Sequence, residues 1–139
     1  MAEQVEFELV SPERLVKSQG VEMVVVPCSE GDIGVLPGHT PLIGTVRPGV
    51  VDIHENGKVT ESIFVSGGFV EVTPDRCTLL AEEATSVMEL NEGTAQARLE
   101  AAQAALEKAS SDVEKSNAEA EVATAEAMLS ALGVSPAAH

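Results

Sequence analysis

The sequence predicts a mainly β fold with an α appendage: a sandwich or barrel of short strands followed by an antiparallel two-helix hairpin. Three observations carry this. From Gln4 to about Ala84, short Val- and Ile-rich runs alternate with polar residues and are punctuated by Gly and Pro. Asn56-Gly57, set between two such runs, is a strong hairpin signal, because a type I′ turn needs positive φ at both central residues. After about Glu89, β-branched residues thin out, and the helix formers Ala, Glu, Gln and Lys take over. The break divides the chain into residues 1–88 and 89–139.

The first strand places Val5, Phe7 and Leu9 on one face and Glu6 and Glu8 on the other. Further strands are expected over Arg14 to Lys17, Val21 to Cys28, Gly34 to Leu36, Leu42 to Val46, Val50 to Glu55, Val59 to Ser66, Phe69 to Thr73 and Arg76 to Glu82. Gly67-Gly68 and Pro74-Asp75 mark turns. Beyond the break, Ala95, Leu99, Ala102, Leu106 and Ala109 step by four and three, a narrow apolar stripe on a first helix. Ala118, Val122, Ala125, Leu129 and Leu132 repeat the stepping on a second. Between them, Ser111 with Glu114 fits a capping box that starts the second helix. Both stripes are rich in Ala, so the helices can approach closely while burying little area.

With 8 Lys+Arg against 23 Asp+Glu the net charge is −15, which excludes a binder that works by neutralising phosphates and disfavours anionic lipid. A hydrophobic fraction of 44% separates the chain from disordered acidic sequences. Three Phe, with no Trp or Tyr, leave no stacking platform for sugars or bases. Cys28 and Cys77 lack zinc-ligand spacing, and no basic-then-apolar signal precedes Val5, so a reducing cytoplasmic compartment is expected. The cysteines read as small hydrophobes of strands, able to pair only if their Cα atoms come within about 7 Å. No apolar run approaches the roughly 20 residues of a membrane span.

The stretch Ser29 to Pro41 concentrates Glu30, Asp32, His39 and three glycines. Such a group could act as acid and base, bind a cation, or cradle a phosphate. The competing reading, a polar loop whose glycines serve turn geometry, is favoured: there is no Walker lysine and no nucleophile beside a base. A small hydrolase using Glu30, Asp32 and His39 is the remote alternative. His54 reads as a solvated strand end and His139 as a terminal residue, while Met23 and Met88 read as core fillers. The eight carboxylates from Glu92 to Glu126, against Arg98, Lys108 and Lys115, read as a solvated helix face.

Phe7-Glu8-Leu9-Val10-Ser11-Pro12-Glu13-Arg14, the run Glu30 to Ile43 with its Pro37-Gly38-His39-Thr40-Pro41 core, and Pro48-Gly49-Val50-Val51 stand in an order that resembles the epsilon subunit of bacterial F-type ATP synthase. Ser66-Gly67-Gly68-Phe69-Val70-Glu71-Val72 and Leu79-Leu80-Ala81-Glu82 extend the resemblance, and the helical part supports it by position and length. The resemblance implies a β-sandwich of about ten strands plus two C-terminal helices at the foot of the central stalk. It implies a non-catalytic rotor subunit, without cofactor or metal, that couples gamma rotation to the membrane c ring of a proton-translocating enzyme. It also implies a peripheral location on the cytoplasmic face of the bacterial inner membrane.

In that family the loop between the third and fourth strands faces the ring, so Glu30, Asp32 and His39 become c-ring contacts, the carboxylates suiting basic ring loops. Pro41, Leu42 and Ile43, with part of the sandwich face, would meet gamma. Through the hairpin, beta and alpha subunits are further potential partners; nucleic acid and direct lipid insertion are not expected.

Some relatives bind ATP between the two helices through a motif of Ile or Leu, Asp, two variable residues, Arg and Ala. Here the stretch is Leu90-Asn91-Glu92-Gly93-Thr94-Ala95, with Thr94 in place of Arg and no Arg after Arg98. Triphosphate counter-charges are therefore missing, and an acidic hairpin would be repelled by acidic catalytic subunits. This disfavours the alternative of a nucleotide-sensing inhibitor whose hairpin extends to block hydrolysis.

Overall fold

The computed structural model describes residues 3–133. The chain falls into two units, Met1–Ser86 and Val87–His139, a division two residues before the change in composition suggests. The first holds ten strands: β1 (Val5–Val10), β2 (Leu15–Val21), β3 (Met23–Cys28), β4 (Gly31–Val35), β5 (Leu42–Val46), β6 (Gly49–Glu55), β7 (Lys58–Val65), β8 (Gly68–Thr73), β9 (Arg76–Ala81) and β10 (Ala84–Ser86). After a 3-10 turn over Val87–Glu89, the second holds α1 (Glu92–Lys108) and α2 (Asp112–Ala131).

The strands form one continuous ribbon in the order β10-β7-β6-β3-β5-β8-β9-β1-β2, with β4 added on β3. All pairings are antiparallel except β1 with β9. The ribbon curls into a sandwich close to a barrel, and Lys17 on β2 reaches across to Glu61 on β7, 2.5 Å apart. Alternation directs Val5, Phe7, Leu9, Val24, Val26, Ile53, Val72 and Leu79 into one core. Asn56 (φ 54) and Gly57 (φ 76) build the type I′ turn between β6 and β7. At Gly68 the φ is +150, and an added Cβ would stand 1.9 Å from the Leu80 carbonyl oxygen, so only glycine lets β8 lie so close to β9.

Several details differ from the sequence reading. Glu22 interrupts the run from Val21 to Cys28: Val21 closes β2, and Met23–Cys28 form β3. β2 extends to Val21, β4 begins at Gly31 instead of Gly34, and β10 is additional. Met88 is no core filler: it is 95% exposed on the 3-10 turn. His54 is half-buried, paired with Met23 and Val59 across the sheet, rather than freely solvated. Cys28 and Cys77 are buried and unbridged. His139 lies outside the described residues.

In the second unit, residues 109–111 return the chain sharply, so α1 and α2 pack antiparallel. Ala95, Leu99 and Ala102 are buried on α1, and Ala118, Ala125 and Leu129 on α2, which are stripe positions. Asn91 caps α1 by accepting the Thr94 N–H at 2.9 Å, and Ser111 caps α2 by accepting the Glu114 N–H at 3.1 Å. The Glu114 carboxylate also accepts the N–H and hydroxyl of Ser110, both at 2.9 Å. Hydrogen bonds from Ser110, with further ones from Ser111, lower the pKa of its carboxyl.

Candidate docking surfaces

Three places bear on function: the β3–β4 turn, the outer face of β5, β8 and β9, and the helix hairpin. In the first, Cys28 faces Gly31 across the hairpin and Ser29-Glu30 forms the two-residue turn. Gly31 has φ +135, a conformation that side-chain-bearing residues rarely adopt. The turn is tied to the segment beside it. Ser29 donates its N–H to the Thr45 carbonyl at 2.8 Å, and Arg47 donates its N–H to the Pro27 carbonyl at 2.9 Å. The Arg47 guanidinium then bonds both the Cys28 carbonyl, through Nη1 at 2.5 Å, and Asp32 Oδ1, through Nη2 at 2.6 Å. Burial raises the pKa of the Cys28 thiol; the charge of Arg47 opposes that and Asp32 reinforces it.

Glu30 and Asp32 are exposed at this turn, whereas His39 lies past the far end of β4. There its Nδ1 stands 2.7 Å from the Thr40 carbonyl, to which it can only donate. The neighbouring Gly38 N–H is held by the Pro74 carbonyl at 2.6 Å. Among the described residues no hydrogen bond or ion pair joins His39 to either carboxylate. The three residues do not form an acid–base group, and the hydrolase alternative loses its geometry.

The structure instead brings Glu30 and Asp32 beside Leu42 and Ile43, around one open cleft of about 500 Å3. Of the apolar trio, Pro41 is exposed, Leu42 packs on the core, and Ile43 is 77% exposed. Ile43 is one corner of a larger outward apolar face. Phe69 (61% exposed) sits directly between Thr45 of β5 and Leu80 of β9, and Leu80 (52%) pairs onward with Val10 of β1. Shallow depressions flank the Phe69–Leu80 pair, one reaching Ile43 and the other Val10 and Pro12. Large apolar side chains at outward positions of neighbouring strands mark a surface built to be covered. The sequence reading missed Phe69 and Leu80. Their signal was present: each stands out of phase with inward neighbours, Phe69 with Val70 and Val72, and Leu80 with Leu79 and Ala81.

The hairpin has an open groove of about 580 Å3 between α1 and α2, floored by Ala101, Ala102, Ala105 and Ala118. Arg98, the one arginine of the helices, spends its Nε and Nη2 donors on Glu121 Oε1, at 2.9 and 2.7 Å. Among the described residues no cluster of His, Cys, Asp or Glu is disposed to hold a metal ion. No described helix is long and apolar enough to cross a membrane.

The first unit is a small β-sandwich with an exposed apolar face and an ordered acidic turn, and the second is a helix pair. The family description "ATP synthase, Delta/Epsilon chain, beta-sandwich domain" matches residues 4–87. Over 101 residues the chain is 59% identical to the ATP synthase epsilon chain of Rhodospirillum rubrum, covering 73% of this chain and 75% of that one. It is 58% identical to the ATP synthase epsilon chain of Paramagnetospirillum magneticum, covering 73% and 76%. The chain belongs to the ATP synthase delta/epsilon family, among its epsilon chains.

In fold it matches a chain of the Euglena gracilis mitochondrial ATP synthase OSCP/F1/c-ring structure, with TM-score 0.78, 23% identity and coverage of 93% and 81%. It also matches one of the Tetrahymena thermophila mitochondrial ATP synthase central stalk/c-ring, with TM-score 0.68, 15% identity and coverage of 94% and 98%. At such identities these likenesses speak for the fold.

Proposed function

We propose that this chain is a rotor subunit of a proton-translocating ATP synthase, linking gamma to the c ring, and has no catalytic chemistry of its own. The observation that carries the reading is the outward apolar face of Ile43, Phe69 and Leu80, with the acidic β3–β4 turn close beside Ile43. An apolar patch of this kind suits a permanent partner, whose interface needs desolvated anchors; that partner is gamma. The turn's carboxylates suit basic loops of the ring, where charge sets register and association rate. The turn that carries Glu30 and Asp32 is the ring-facing surface in this reading. His39, past the far end of β4, stands away from this turn and is not one of its contacts in this reading.

Residues 1–88 are thus the docking module and 89–139 a hairpin that regulates hydrolysis weakly at most. The engagement of Arg98 by Glu121 supports that view, since a triphosphate would first have to displace the carboxylate. The subunit works peripherally, at the cytoplasmic face of the bacterial inner membrane. The testing experiment is a titration of purified gamma with the full chain. Saturable binding that Phe69→Asp abolishes, with the far-ultraviolet circular dichroism of the chain unchanged, is expected; binding unaffected by Phe69→Asp would overturn the reading.

A further inference from the structure

Arg47 makes the longest-range set of contacts at the acidic turn. It immediately precedes Pro48, which restricts its backbone to extended conformations, and its N–H is fixed on the Pro27 carbonyl. From that anchor the planar guanidinium divides its donors between the Cys28 carbonyl and Asp32 Oδ1. One acceptor lies on each strand of the β3–β4 hairpin, so a single side chain grips both strands next to Ser29-Glu30. The ion pair is half exposed, with side-chain exposures of 43% for Arg47 and 60% for Asp32. A pair that open adds little to stability. Its consequence is geometric and electrostatic: Asp32 is neutralised within the chain, while Glu30 has no side-chain partner among the described residues.

We propose that Arg47 is a positioning residue for ring docking, holding the turn in shape by gripping Cys28 and Asp32, and that Glu30 alone is the charge the turn offers to a basic partner. The inference rests on the reading of this turn as the ring-facing surface. Asp32 then acts through Arg47 and does not touch the partner. Lysine at position 47 could not do the same, because an ammonium lacks the planar fork that reaches two acceptors at once.

The test titrates purified c ring against gamma carrying the full-length chain, over a range of salt, and follows amide exchange at Gly31 and Asp32 in the same complexes. Glu30→Gln should weaken binding roughly threefold and flatten its salt dependence, with exchange unchanged. Arg47→Met should speed exchange at the turn, with Arg47→Lys intermediate. Asp32→Asn should weaken binding about two- to fivefold in the natural background and change nothing further beside Arg47→Met, since the two act as one unit. Equal losses from Asp32→Asn in both backgrounds would show that Asp32 meets the ring directly and would overturn the proposal, as would unchanged exchange in Arg47→Met. No effect of Glu30→Gln on binding would instead overturn the ring-facing reading itself.

Discussion

Truncating Phe69 to alanine removes the centre of the outward apolar face while leaving the core beneath it intact. A phenylalanine side chain buries about 200 Å2 when fully covered. At 61% exposure, roughly 120 Å2 of it remains to be covered by a partner, which at about 25 cal/mol per Å2 is about 3 kcal/mol. Alanine keeps about a third of that, so the expected loss is about 2 kcal/mol, close to a 30-fold rise in Kd for gamma. Because the side chain points away from Val70, Val72 and Leu79, folding should lose only its cross-strand contacts with Thr45 and Leu80, about 0.2–1 kcal/mol. Isothermal calorimetry with purified gamma, paired with thermal unfolding of the free chain, measures both quantities. A Kd within twofold of the unsubstituted chain would refute the assignment of this face to gamma.

Gly68→Ala should destabilise the sandwich by roughly 3 kcal/mol or more, because its Cβ would stand 1.9 Å from the Leu80 carbonyl oxygen, and urea unfolding would show the loss. Burial pushes the Cys77 thiol up to about 12, well above the ordinary thiol range. Above pH 9 the unfolded chain therefore gives up a proton that the folded chain keeps, and stability falls as pH rises toward 12. Comparing alkaline urea titrations with those of Cys77→Ala should show that part of the fall disappear. Titration with MgATP should show no micromolar site in the hairpin, since Arg98 is held by Glu121 and Thr94 offers no cation; a micromolar Kd would contradict the weak-regulation reading.

Features set by neighbours in the chain were legible before the structure. Asn56-Gly57 announced its turn because both residues tolerate positive φ, and Ser111 announced a helix start because a short polar side chain satisfies orphan N–H groups. Features set by distant partners were not. Val21 to Cys28 reads as one strand because its apolar run is nearly unbroken, yet Glu22 sits at the crossing from β2, paired with β1, to β3, paired with β4 and β6. Met88 is as apolar as a core residue, and only its place on the 3-10 turn explains its exposure. The candidate site divides in the same way. The density of Glu30, Asp32 and His39 marked a loop of consequence, but β4, starting at Gly31 and paired along β3, carries His39 away from the turn. The grip of Arg47 on Asp32, 15 residues away, has no local signature.

In the proposed role, one small chain holds gamma and the c ring together. The most direct measurement is the affinity of purified gamma for the purified ring, taken with and without the full-length chain. The chain should strengthen the association at least about tenfold, roughly 1.4 kcal/mol, and Phe69→Asp and Glu30→Lys should each cancel most of the gain. An affinity of gamma for the ring that is the same with and without the chain would contradict it.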